Sequence, residues 1–167
     1  MKIGRITLSD RAYAGIYKDQ SGPEIEKVIR SLFAEPVEFI SVLIPDEKNL
    51  LVSEFLRLVD ELDCPLVLTT GGTGPSSRDV TPEATRLVLE KELPGFGEIM
   101  RMESYKKVKT AILSRAVAGI RKRSLIINLP GKPSAIADCL MLLGEAIAEC
   151  LDHLRGYRPL LAIGERK

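Results

Sequence analysis

Residues 2–9, KIGRITLS, form a short Ile-rich run closed by polar residues, which predicts a strand. The polar, glycine-containing segment 10–22 reads as a long loop, and Pro23 suits the first turn of a helix running to about Phe33. Residues 36–44, PVEFISVLI, alternate and carry β-branched side chains, so they predict a second strand, broken by Pro45-Asp46-Glu47. From 47 to 62, Leu50, Leu51, Phe55, Leu58, Val59 and Leu62 share one helical face. Residues 65–70, PLVLTT, are apolar on both pleat faces, as expected of a strand covered on both sides.

After this strand comes GGTGPSSRDV, 71–80, too rich in glycine and polar residues for a simple turn and long enough to be a shaped loop. Thr81-Pro82 then predicts a helix, with Thr81 as its cap and proline at the first helical position. Residues 94–96, PGF, punctuate the chain before a further helix over 97–108. Residues 116–131 read as two short strands around the basic turn Arg121-Lys122-Arg123, ending in a second glycine loop. The last regular segment, 132–154, is a long helix so apolar that it must be largely buried.

Strands alternating with helices predict a single α/β domain over 1–167, three-layer α/β/α with a mainly parallel sheet. In such sheets ligands sit beyond the carboxyl ends of the strands. Three unusual segments follow predicted strand ends: Pro45-Asp46-Glu47, Gly71 to Asp79, and Leu129-Pro130-Gly131. Their convergence is the first indication of a functional site.

Composition narrows the chemistry. The 24 basic and 23 acidic residues are well mixed and give a net charge of +1, which argues against a nucleic-acid or membrane-surface partner. The N-terminal stretch lacks the apolar core of a secretory signal, and no window is long and apolar enough to span a bilayer, so a cytoplasmic location is expected. Cys64, Cys139 and Cys150 have no metal-ligand spacing and read as free thiols, and the lone His153 has no accompanying soft ligand.

Consecutive glycines expose backbone N–H groups that can cradle an anion, and the helix beginning near Thr81 adds the positive end of its dipole. Glycine richness alone fits a tight turn almost as well. The loop matches neither the P-loop pattern nor the dinucleotide fingerprint. Asp46 and Asp79 each lie just past a strand end, where paired carboxylates and substrate phosphates can bind Mg²⁺. Arg11, Arg78 and Arg115 offer forked donors to phosphate. Ser114 offers a hydroxyl but has no histidine partner to make it a nucleophile.

These segments together resemble the molybdopterin adenylyltransferases of molybdenum-cofactor biosynthesis, the MogA/MoaB group that includes the G domain of gephyrin-type proteins. The matching text is SDRAYAGIYKDQSGPEI, LIPDE, LVLTTGGTGPSSRDVTPEAT, PGFGEIMR, AILSR and LIINLPGKP, in order along nearly the whole chain. The resemblance implies a homotrimer that binds molybdopterin and ATP with Mg²⁺, moves AMP onto the terminal phosphate of molybdopterin, releases pyrophosphate, and hands its product to a molybdate-inserting enzyme. It implies catalytic and metal-binding roles for Asp46 and Asp79. It also implies substrate contacts at Gly71, Gly72, Thr73 and Gly74, at Ser114 and Arg115, and at Asn128, Pro130 and Gly131. A non-catalytic molybdopterin-binding or scaffold protein of the same pathway is the alternative. Some bacterial members carry a longer segment after the last helix, so contacts made by that tail are not expected here.

Overall fold

The computed structural model describes residues 1–162. The end of the predicted domain, 163–167, lies outside them. A six-stranded sheet has the order β2-β1-β3-β6-β5-β4, built from β1 (Lys2–Leu8), β2 (Glu38–Ile44), β3 (Leu66–Thr70), β4 (Lys91–Glu92), β5 (Ala118–Arg121) and β6 (Ser124–Leu129). Strands β1, β2, β3 and β6 are mutually parallel, and β5 and β4 add an antiparallel edge. The helices are α1 (Asp10–Tyr13), α2 (Ser21–Leu32), α3 (Lys48–Leu56), α4 (Thr81–Val88), α5 (Pro94–Lys107) and α6 (Pro133–Arg155).

Strand parity divides the interior into two cores, one on each side of the sheet. Ile3, Leu66, Leu68, Leu125, Ile127 and Leu129 face α2, α5 and α6, and pack against Ile25, Ile29, Leu140 and Ile147. Ile6, Leu8, Val67 and Ile126 face the other way, against Leu51, Phe55 and Leu58 of the α3 region and Ala84 and Val88 of α4. Every residue of β3 and β6 is buried, as continuous apolar runs require in a strand covered on both faces. The chain is the expected three-layer α/β/α sandwich.

Local differences from the sequence pattern have physical causes. The segment 10–22 contains the short helix α1, capped by Ser9, whose Oγ accepts from Ala12 N at 3.2 Å. Helix α2 starts at Ser21 rather than Pro23, because the Asp19 carboxylate takes the N–H groups of Ser21 and Gly22, both at 3.0 Å. Thr81 is the first helical residue of α4 and not its cap. Its Oγ donates instead to Gly71 O at 2.8 Å, tying the helix start to the glycine loop. Pro94 opens α5, three residues before the predicted start at 97. The helix expected over 47–62 ends in a π-helical turn, Arg57–Glu61.

The chain runs from β1 outward to β2 and then back past β1 to β3, so the connections diverge to opposite sides of β1. In an open α/β sheet, this switch point between β1 and β3 is where a ligand crevice forms at the carboxyl ends.

Candidate functional site

The parallel register aligns Leu8 with Ile44, Thr7 with Thr70, and Thr70 with Leu129. The loops after β1, β2, β3 and β6 therefore emerge along one edge of the sheet. Antiparallel β5 begins at the same edge, which brings the preceding Ser114-Arg115 there as well, and Arg115 N donates to Thr73 O at 2.8 Å.

Gly71 and Gly72 form the crossing point. Both have positive φ, +94° and +63°, which side-chain-bearing residues adopt only at a cost. A Cβ on Gly71 would lie 2.2 Å from Leu8 O, and one on Gly72 would lie 2.5 Å from Thr81 Oγ1 and 3.3 Å from Asp46 Oδ1. Glycine is needed here both for its φ and because the end of β1, the start of α4 and Asp46 press on this backbone. The N–H groups of Gly72, Thr73 and Gly74 meet no acceptor among the described residues, leaving three successive donors in the first half of the loop.

Asp46 and Asp79 flank this loop, both half-buried. Asp46 is bound to Asp10 in both directions: Asp10 N donates to Asp46 Oδ2 at 2.9 Å, and Asp46 N donates to Asp10 Oδ1 at 3.0 Å. Partial burial pushes the Asp46 carboxyl up from its ordinary value. The hydrogen bond from Asp10 opposes this, while the negative charges of Asp10 and Asp79 add to it. Asp79 thus lies near enough for its charge to be felt at Asp46. Asp79 Oδ2 accepts from Ser76 N at 2.9 Å, and sits 2.9 Å from where a Cβ on Gly74 would stand.

The arginines are already engaged. Arg115 donates from Nε to Gly74 O and from Nη2 to Asp79 O, each at 2.8 Å, and pairs with Glu83. It braces the loop, and its side chain also reaches the surface. Arg78 makes a fork on Asp10, Nε to Oδ2 and Nη2 to Oδ1 at 3.0 Å each, and Nη2 also reaches Glu47 Oε1 at 3.1 Å. The Arg78 hydrogen bond holds the Asp10 carboxyl below its usual range. Arg11 stacks over Tyr17 at 5.1 Å from the ring centroid.

Asn128 stands apart from the other candidate residues. It is fully buried, with Oδ1 accepting from Val117 N at 3.2 Å and Nδ2 donating to Thr69 Oγ1 at 3.1 Å and Thr85 Oγ1 at 2.9 Å. It has no surface to offer a ligand, and instead bolts β6 to β3, α4 and the start of β5. Pro130 and Gly131 do reach the edge, where Pro130 O accepts from Thr70 Oγ1 at 2.8 Å and Gly131 O accepts from Ser21 Oγ at 2.6 Å. Ser114, Pro130 and Gly131 line a cavity of about 370 Å³ between α5 and α6, with an apolar floor that includes Met100 and Cys139 and with Arg101 and Lys132 on its walls. A second, open cleft of about 530 Å³ lies beside the Pro75–Val80 part of the loop, lined by Asp79, Arg115 and Lys48. The site therefore offers two compartments, with the adjacent residues Ser114 and Arg115 lining one each and Asp79 lining the second.

Sequence reasoning missed Asp10 and Glu47, which touch the candidate residues directly. Asp10 follows a strand end just as Asp46 does, and the rule that selected Asp46 would have selected it. Among the described residues no group of three or more His, Cys, Asp or Glu side chains could hold a metal unaided, and no helix is long and apolar enough to cross a membrane. His153 is exposed and lies 3.1 Å from Glu149. Cys64 and Cys139 are buried and Cys150 is half-buried, all as free thiols.

Comparison with known proteins places this arrangement. Residues 4–149 match the family described as a probable molybdopterin binding domain. The chain is 53% identical over 154 residues to the molybdopterin adenylyltransferase of Helicobacter pylori, covering 92% of this chain and 88% of that one. It is 48% identical over 153 residues to that of Escherichia coli, covering 92% and 78%. The crystal structure of the molybdopterin biosynthesis enzyme MoaB from Thermus thermophilus superposes with a TM-score of 0.85 at 36% identity, over 94% of this chain and 98% of that one. With the fold, the loop order and the relatives in agreement, the chain belongs to the molybdopterin adenylyltransferase family.

Proposed function

We propose that this protein transfers AMP from ATP to the terminal phosphate of molybdopterin and releases pyrophosphate. The observation that carries the reading is the meeting of Asp46, Asp79 and three unspent backbone N–H groups at the sheet's switch point, in a chain about half identical to named adenylyltransferases. An oxygen of the molybdopterin phosphate forms a bond to the α-phosphorus of ATP as the bond from that phosphorus to the bridging oxygen breaks, and the electron pair leaves with pyrophosphate. The attacking oxygen is already deprotonated at neutral pH, so no general base is needed. The chemistry requires positioning and charge stabilisation.

This chain's residues supply both. The unspent N–H groups of Gly72, Thr73 and Gly74 are available to donate to phosphate oxygens, and Arg115 keeps their loop in shape through Gly74 O and Asp79 O. Ser114, Pro130 and Gly131 border the cavity between α5 and α6, which has room for one of the two substrates. The carboxylates of Asp46 and Asp79 form an all-oxygen donor set suited to Mg²⁺, which binds proteins through one or two carboxylates and completes its shell with water and phosphate oxygens. When bound, that ion neutralises phosphate charge in the transition state.

The proposal includes a homotrimer working in the cytoplasm and delivering its product to a molybdate-inserting enzyme. Exposed Met102, Val108, Ile112 and Leu113 on α5 and the turn after it offer apolar surface for self-association. The test is pyrophosphate release from ATP and Mg²⁺, with and without molybdopterin, for the native protein, Asp46→Ala and Asp79→Ala. The expected result is molybdopterin-dependent release that falls at least ~10²-fold in either variant. Tight molybdopterin binding without release would instead make the protein a carrier.

A further inference from the structure

Asp46 and Asp79 stand on different loops, after β2 and after β3, and no hydrogen bond joins their side chains among the described residues. Their separation must be set by something else. The neighbour of each aspartate is part of one ionic connection: Glu47 follows Asp46, Arg78 precedes Asp79, and Arg78 Nη2 reaches Glu47 Oε1 at 3.1 Å. The same guanidinium forks onto Asp10 of the loop after β1, at 3.0 Å for both bonds, and Asp10 is paired with Asp46 in both directions. Three loops from three adjacent strands thus close on a single guanidinium.

We propose that Arg78, Asp10 and Glu47 form a positioning latch that sets the spacing of the Asp46 and Asp79 carboxylates, so that Arg78 acts through these aspartates and not as a phosphate ligand. This inference rests on the adenylyl-transfer reading for its kinetic consequences only. The latch is exposed, with Arg78, Asp10 and Glu47 side chains 54%, 44% and 54% accessible. Exposed ion pairs contribute little to stability, so stability does not explain the arrangement. The forked geometry does, because two parallel N–H···O bonds fix orientation as well as distance, and a small misplacement of catalytic groups costs rate steeply.

The test compares Arg78→Gln, Asp10→Asn and the double variant with the native protein. Arg86→Gln, which removes the similarly exposed Arg86–Glu92 pair on α4 and its edge, is the control. For the pyrophosphate assay the expectation is a loss of kcat of about 10- to 50-fold in each single variant. The KM values for ATP and molybdopterin stay within about threefold, the double variant is no worse than the poorer single, and melting temperatures are nearly unchanged. Arg86→Gln keeps native turnover. A rise in KM for ATP in Arg78→Gln alone, with Asp10→Asn unaffected, would make Arg78 a direct phosphate contact and overturn the latch. Crystal structures of the native protein and Arg78→Gln give a readout independent of turnover. A changed or multiple Asp46–Asp79 separation supports the latch, and an unchanged single one refutes it. If the native protein releases no pyrophosphate, the adenylyl-transfer reading falls while the crystallographic comparison still decides the latch.

Discussion

Replacing Asn128 with alanine separates a structural role from a ligand-binding one. The amide makes three hydrogen bonds inside the protein, to Val117 N, Thr69 Oγ1 and Thr85 Oγ1, and is fully buried. Alanine removes all three and leaves the buried Val117 N–H without its side-chain acceptor. At roughly 1 kcal/mol net per bond, with a larger penalty for the stranded donor, the loss comes to about 3–5 kcal/mol. For a domain of this size each kcal/mol shifts the midpoint by about 2–4 °C, so melting should fall by roughly 6–20 °C. With no tryptophan in the chain, far-ultraviolet circular dichroism at fixed protein concentration is the direct assay. Substrate affinity measured well below the new midpoint should change little beyond what loop loosening explains. A variant that melts within 2 °C of native yet loses molybdopterin or ATP binding would refute this reasoning and return Asn128 to the ligand site.

Other consequences can be checked as simply. Gly72→Ala must place a Cβ at φ +63° and 2.5 Å from Thr81 Oγ1, so it should cost about 1–3 kcal/mol in urea unfolding and abolish most turnover. A Gly72→Ala protein of native stability would mean that the loop can relax. Burial raises the Asp46 pKa, so the ionised form is disfavoured by folding, and the related stability is present below the unfolded pKa near 4 and lost as pH rises through the folded value. Asp46→Asn should therefore melt at or above the native temperature at pH 7–8, with the advantage fading toward pH 4, although it loses activity. Burial also pushes the Cys64 and Cys139 thiols up, so a maleimide should label them slowly in the folded protein and quickly in denaturant. Rapid labelling at Cys64 or Cys139 in the folded protein, located by peptide mapping to separate it from the half-buried Cys150, would place that residue at the surface.

Much of the fold was legible because its two signals are strong ones. Continuous apolar runs such as 65–70 and 125–127 can only be strands covered on both faces, and the apolar 132–154 segment can only be a buried helix. Helix starts were less legible, because they depend on partners distant in sequence. Asp19 captures the first N–H groups of α2, and Thr81 spends its hydroxyl on Gly71 O when it would otherwise cap α4. The two-residue strand β4 exists only because β5 lies beside it, through Lys91–Ile120 and Glu92–Gly119 pairing.

At the site, the sequence supplied residue types near strand ends but not the direction in which each side chain points. Asp46 and Gly71 follow the last residues of β2 and β3, so they emerge from the sheet whatever the strand parity. Asn128 is still inside β6, and there parity decides. Leu125, Ile127 and Leu129 face α2 and α6, whereas Ile126 faces α3 and α4. Asn128 shares the parity of Ile126 and is aimed at α4, where Thr85 receives its amide. Reading LIIN as a strand that ends one residue later, at Leu129, would have placed the asparagine in the interior from sequence alone. The same reasoning favours Asp10. It lies two residues past the end of β1, outside any parity constraint and beside the loop that carries Asp46, so the physics that selects Asp46 as a site residue selects Asp10 with it.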